Sequence, residues 1–343
     1  MILESVGTEQ WHAFYEKSDT VSFFQSPFWA EIWARYTGGT YRPAPLVAVF
    51  SSGKQVLLPL TRQRIRGGIG SVWHAAPAGT YGGWLTGDMQ QLSRLETVTL
   101  LDQLIRQCGS LTMRLFPFSM DEDALSGISD PENLRPGTDV KSDHTLVMDC
   151  SAGIDAIQSR WAEGSGSMKR KIQKAERAGI RVRPAKDRED IRAYYQLYQN
   201  NVHHWDPPPS HIYRPDFFEI LSGYHPHCEI WLAERCHQVL AGATILHGKN
   251  HTVYWHGVSD PSARELRPVN LLMAELINQT CHRGFRWFDF NPSMGLKGVE
   301  KFKKSFKTES FATPLIDRST GFIQLIRYLT GLVQRQARGI KAE

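Results

Sequence analysis

Between residues 228 and 258 the chain carries three apolar runs, 228–234, 239–247 and 251–258, broken only by RCHQ and GKN. Runs of that composition with such short breaks read as strands joined by hairpin turns, and hairpins force neighbouring strands antiparallel. A periodic helix over 269–283 and a short strand over 287–290 follow. The chain is therefore held to a mixed, mostly antiparallel sheet with helices packed on it.

The first half repeats this kind of order. Short helices are expected at 10–15 and 27–36, the second apolar at Phe28, Trp29, Ile32, Trp33 and Tyr36, which is helical spacing. Strands at 45–51 and 55–60 flank a Ser-Gly-Lys turn. A helix over 92–108 leads to a strand at 111–116. Residues 119–143 are polar, acidic and broken by Pro and Gly, as a linker is. Beyond it come a strand at 144–148 and one basic helix over 154–177, closed by Gly179. A strand starting at 180, helices at 190–201 and 214–223, and a lysine-rich segment 302–311 leading into a final strand complete the order. Residues 321–338 read as a terminal amphipathic helix. With 343 residues there is length for two cores. The expected fold is α/β (α+β) in two domains, 1–143 and 144–343, each a mixed, mostly antiparallel sheet flanked by helices.

Composition narrows the class. At 41% hydrophobic and 22% charged residues the chain is neither collagen-like nor low-complexity. Its five cysteines, without CxxC spacing, argue for a reducing compartment and against a zinc site. The N-terminal MILESVGTEQW lacks the apolar run of a signal peptide, and no apolar stretch is long enough to span a membrane. A cytoplasmic location follows as an expectation, with any membrane contact peripheral, at the inner face. The terminal helix could supply that contact, although packing on its own domain is the simpler reading.

The net charge of +5 is unevenly placed. Residues 160–190 hold ten Lys/Arg against five acids, and residues 297–307 hold five Lys against Glu300 alone. These segments carry +5 and +4, which leaves −4 for the rest. Charge focused in this way recruits anions. In the first segment Arg170, Lys174 and Arg177 share a helix face, and with Lys171 they could hold phosphates; a solvated helix face is the structural alternative. In the second, Lys303 and Lys304 stand among Phe302, Phe306 and Phe311, where a fixed ammonium could hold an oxyanion on a transferring acyl group. Plain alternation of phenylalanines inward and lysines outward is the alternative there.

Three further positions are candidates. Asp289 lies between Phe288 and Phe290, where desolvation would suit a general base, and Asn291 could hydrogen-bond nearby. Trp255, beside His256, is assigned to a substrate groove. His204, in NNVHHWDPPP, is assigned to substrate contact; its HHxD pattern lacks the further ligands of a metal site, and no metal is expected.

Together FFQSPFWAEIW (23–33), RKIQKAERAGIRV (170–182), VYWHGVSD (253–260), LRPVNLLMAELI (266–277), GFRWFDFNPS (284–293) and FKKSFKTE (302–309) resemble the FemAB-like transferases, distant relatives within the GNAT superfamily. The resemblance rests on their order and spacing and covers most of the chain. It implies two tandem GNAT-like domains and a transfer of amino acids from aminoacyl-tRNA to an amine on a peptide- or sugar-linked acceptor. It places the family's FK pair on Phe302 and Lys303, with the lysine at the oxyanion, and its basic helix on Arg170, Lys171 and Lys174. Asn291 and Lys307 stand where that family commonly has glycine. No resident cofactor is implied, because the donor is itself a substrate. Acyl-coenzyme A is the alternative donor, and the strand–loop–helix at 254–283 is where it would be cradled. That loop holds Arg264 and Arg267 but no glycine. A non-catalytic RNA-binding module is the alternative from another class.

Overall fold

The computed structural model describes residues 1–65, 70–86, 91–119, 122–130, 133–164, 166–202, 211–321 and 323–324. Its strands form three sheets. In the first half, Ile2–Ser5, Leu46–Val49, Gln55–Leu58 and Leu85–Thr86 make an antiparallel sheet. The expected hairpin pairs Leu46 with Leu58 across a turn in which Gly53 has φ of +84°. A second, mixed sheet runs in the order Thr138–Lys141, Leu315–Arg318, Leu111–Leu115, Ser71–His74, Thr61–Arg64, Tyr41–Pro43. The helix Arg94–Cys108 starts on a reciprocal cap, Ser93 with Glu96, and buries Leu100, Leu101, Leu104 and Ile105.

The third sheet belongs to the second half. Its order is Arg181–Pro184, Cys228–Arg235, Gln238–His247, His251–Ser259, Trp287–Asp289, His144–Asp149, Glu309–Ala312. The meander read from 228–258 forms its centre, with antiparallel pairing throughout. The helix Pro268–His282 covers one face, burying Leu272, Met273, Leu276 and Ile277.

Three sequence expectations change. The stretch 119–143 is not a plain linker, since it contains the helix Glu122–Ser129 and the strand Thr138–Lys141. The single helix over 154–177 is two, Gly153–Ala162 and Ser167–Arg177, because Gly164 and Gly166 both take left-handed conformations that interrupt the hydrogen-bond ladder. A division at residue 143 also leaves one strand on the wrong side. Leu315–Arg318 returns to the first-half sheet, where Ile316 is fully buried between Val140 and Met113. The terminal helix expected at 321–338 lies outside the described residues beyond 324.

The two halves share a core. Phe24, Trp29, Trp33 and Tyr36 from the first half pack against Tyr194, Tyr198, Phe217 and Phe218 from the second. Tyr36 meets Phe217 edge-on at 4.6 Å and Trp33 meets it at 5.5 Å between ring centroids. Such a seam fixes the halves as one body, and it sets the frame for the site beside it.

Candidate active site

The site begins where two parallel strands part. His251–Ser259 and Trp287–Asp289 pair over three positions only, the last being Val253 with Asp289. The first strand then continues to Ser259, while the other chain turns away at Asn291, whose φ is +62°. Beyond Val253 that edge has no strand beside it among the described residues, so its backbone donors and acceptors are left without sheet partners, and this unpaired edge is the candidate cleft.

Asp289 anchors the turn. It is completely buried. One carboxylate oxygen accepts from Thr145 Oγ1 at 2.5 Å and from the Asn291 backbone N–H at 2.7 Å; the other lies 3.1 Å from His251 Nε2. The sequence reading gave this carboxylate to proton transfer. Its oxygens are instead engaged by fixed donors, which makes Asp289 a holder of the turn and not an accessible base.

The turn in turn holds Lys303. That side chain, on the helix Lys297–Lys304, is only 4% exposed. Its Nζ donates to the Asn291 carbonyl at 2.6 Å and the Pro292 carbonyl at 3.2 Å. An ammonium has three N–H bonds, so one remains for a ligand. Burial pulls the Lys303 pKa down to about 8, against the opposing pull of the carboxylates of Asp289, Asp143 and Glu300. Beside it, Asn291 Oδ1 is buried with no hydrogen-bond partner. A charged donor and an unfilled acceptor thus share one corner of the cleft.

The first half contributes residues that the sequence reading did not single out. Arg114, from Leu111–Leu115, is 2% exposed and donates to Asp143 Oδ2 at 2.7 Å, to the Gly79 carbonyl at 2.9 Å, and to Met294 Sδ at 3.5 Å. It therefore ties the first-half sheet to the segment that leads into the Lys303 helix. Tyr81 is fully buried, and burial and the Asp289 carboxylate both push its phenol pKa up. A charge inside the apolar run LTMRLF was the one available signal for Arg114.

The other expected residues are scattered. Arg170, Lys171 and Lys174 lie on Ser167–Arg177, which packs along Pro268–His282. Lys174 Nζ is 3.6 Å from Glu265 in the turn Pro261–Leu266, at the far end of the cleft strand. Among the described residues no ion pair or hydrogen bond joins these three to Lys303. Lys304 faces solvent and pairs with Glu300 at 2.6 Å, so it does not share the Lys303 corner. Trp255 packs against the aromatic seam, 5.4 Å from Trp29 and 5.3 Å from Tyr213 between centroids, and is half-buried there. His204 lies outside the described residues. Among the described residues no cluster of His, Cys, Asp and Glu is arranged to hold a metal, and no helix is long and apolar enough to cross a membrane.

Known proteins with this arrangement are informative at the level of fold. Residues 164–304 match the family model of the acetyltransferase (GNAT) domain. The crystal structure of FemX superposes with a TM-score of 0.67 at 13% identity, covering 92% of this chain and 97% of that one. The structure of L-PGS from Bacillus licheniformis gives 0.57 at 13% identity, covering 98% and 99%. A tandem GNAT protein from the clavulanic acid biosynthesis pathway gives 0.50 at 10% identity, covering 92% and 97%. No curated protein matches the chain by sequence. Residues 164–304 thus resemble the acetyltransferase (GNAT) domain in sequence, and the superpositions show that the whole chain shares the fold of these proteins.

Proposed function

We propose that the protein transfers an aminoacyl group from aminoacyl-tRNA to an amine, forming an amide. The observation that carries this reading is the Lys303 ammonium, buried at the parting of the strands with one N–H unspent and an unpartnered amide oxygen beside it. The acceptor nitrogen attacks the ester carbonyl, whose electrons move onto oxygen, where Lys303 Nζ–H stabilises them. Asn291 Oδ1 accepts an N–H of the attacking amine and orients its lone pair. When the intermediate collapses, the C–O bond to the ribose breaks, and the leaving oxygen takes the proton that the amine gives up.

The turn at the end of the cleft strand supports this donor over acyl-coenzyme A. A pyrophosphate there would need free backbone N–H groups at the helix start. The loop 260–267 that leads into Pro268–His282 has no glycine, and at its entry the Asp260 carboxylate accepts from the Ser262 N–H at 2.8 Å and its hydroxyl at 2.7 Å, which disfavours a phosphate beside it. Arg170, Lys171 and Lys174 flank the same end, and spread over a helix they suit the repeated phosphates of an RNA stem.

Purified protein offered mixed charged tRNAs, or acetyl-coenzyme A, with a panel of amines separates the readings. Amide product from charged tRNA alone is the expected result. Transfer from acetyl-coenzyme A only, with a melting temperature raised by coenzyme A, would overturn the donor assignment. Salt-sensitive tRNA binding with no transfer from either donor would overturn catalysis itself.

A further inference from the structure

The segment leading into the Lys303 helix breaks the usual rule for a soluble surface. Three of the six large apolar side chains exposed among the described residues fall within 294–299: Met294 at 66%, Leu296 at 38% and Val299 at 39%. They are not loosely held. Met294 and Gly295 take consecutive left-handed conformations, with φ of +50° and +78°, and Met294 Sδ accepts from Arg114. A non-glycine residue held left-handed with two-thirds of its surface in water is a costly arrangement that something else must favour. Around these side chains stand Lys297, Lys301 and Lys307, all exposed and without an ion pair among the described residues. Val299 lies one helical turn before Lys303, on the same side of the helix, so the ridge adjoins the Lys303 site.

We infer that residues 294–307 form a docking ridge for an anionic lipid surface, set so that the Lys303 cleft opens toward the headgroups. Aliphatic side chains at the crest and lysines at the flanks match the two layers of such a surface, hydrocarbon below and phosphate above. A nucleic acid would use the lysines but leave the aliphatic crest unsatisfied, and a protein interface centre is depleted in lysine. This inference deepens the transfer reading, on which it rests for one point only, that the amine acceptor is then a lipid or is carried by one.

Sedimentation of the full chain with vesicles tests it without any donor, so its failure and the failure of the transfer reading remain distinct. The chain is expected to bind vesicles containing phosphatidylglycerol and to bind pure phosphatidylcholine vesicles far more weakly. Changing Lys297, Lys301 and Lys307 together to Gln should weaken partitioning about 100-fold, roughly fivefold for each charge. Changing Met294, Leu296 and Val299 together to Ser should weaken it about tenfold or more. If that triple variant unfolds, Leu296→Glu alone serves the same purpose. The inference is overturned if the chain ignores anionic vesicles or binds both compositions equally. It is also overturned if both variant sets bind like the parent, which would put the contact elsewhere. Loss through the lysines with none through the aliphatics would mark the ridge as a polyanion site.

Discussion

Each half of the molecule has a place where two parallel strands part, and the halves treat it in opposite ways. In the first half Ser71–His74 runs beside Leu111–Leu115 for two positions, Trp73 with Leu111 and His74 with Thr112. The chain then folds back, and Tyr81–Gly82 takes the vacated place, pairing with Arg114 and Leu115 of the same strand. Gly82 lies so close to Ala75 that an added Cβ would fall 2.1 Å from the alanine methyl, and Gln25 Nε2 donates to the Gly82 carbonyl at 2.8 Å. In the second half the equivalent strand continues past Val253 to Ser259 with a bulge at Trp255, and no strand among the described residues pairs with that edge. One opening is plugged by its own chain and has become a structural joint. The other is left unpaired, and Lys303 is held by the turn at its edge. The difference shows why a repeated fold need not carry a repeated site: a few residues inside one opening decide whether it can admit a ligand.

Removing the ammonium from the open side should have the largest effect. Lys303→Ala is expected to lower turnover by about 10²–10³, the loss typical of one oxyanion donor, with the fold retained by circular dichroism. Unchanged turnover would remove Lys303 from the reaction. On the plugged side, Gly82→Ala should cost on the order of 1–3 kcal/mol of stability in urea unfolding, since the new methyl meets Ala75. Adding Ala75→Gly should recover part of that loss, and failure to do so would deny the contact its role. A smaller effect concerns pH. The Lys303 cation is lost as pH rises through about 8, so transfer should decline on that alkaline limb. Asp289 favours the cation, and Asp289→Asn should move the limb to lower pH; an unmoved limb would separate Asp289 from Lys303. The smallest effect is expected at Lys304→Ala, whose solvent-screened pair with Glu300 should leave the melting temperature unchanged within error; a clear drop would show that the pair matters to the fold.

Local order was readable in the chain because it depends on local chemistry. The helix Pro27–Tyr36 occupies the expected residues, with Pro27 at its first turn and Ser26 as its cap. The three central strands of the second half fall where their turns placed them. The two departures from glycine also had a conformational meaning: Asn291 and Lys307 both adopt left-handed backbone, with φ of +62° and +64°. What escaped was set by partners distant in sequence. Alternation puts Phe288 and Phe290 on one face of their strand and Asp289 on the other. Only the fold shows that this other face meets His251 and Thr145 and is shut off from water. Arg114 and Tyr81 reach the site only because the halves are docked.

The strand Leu315–Arg318 lies between Thr138–Lys141 and Leu111–Leu115, in the interior of the mixed first-half sheet. During synthesis its two neighbours leave the ribosome long before it does, and they cannot be joined until nearly all of the second half has been made. Until then Leu111 and Met113 border an unfilled slot with free backbone groups. The first half therefore cannot mature as an independent bead on the growing chain. Both units must close together, late and through distant pairing, which makes for slow folding and leaves that slot exposed in the meantime.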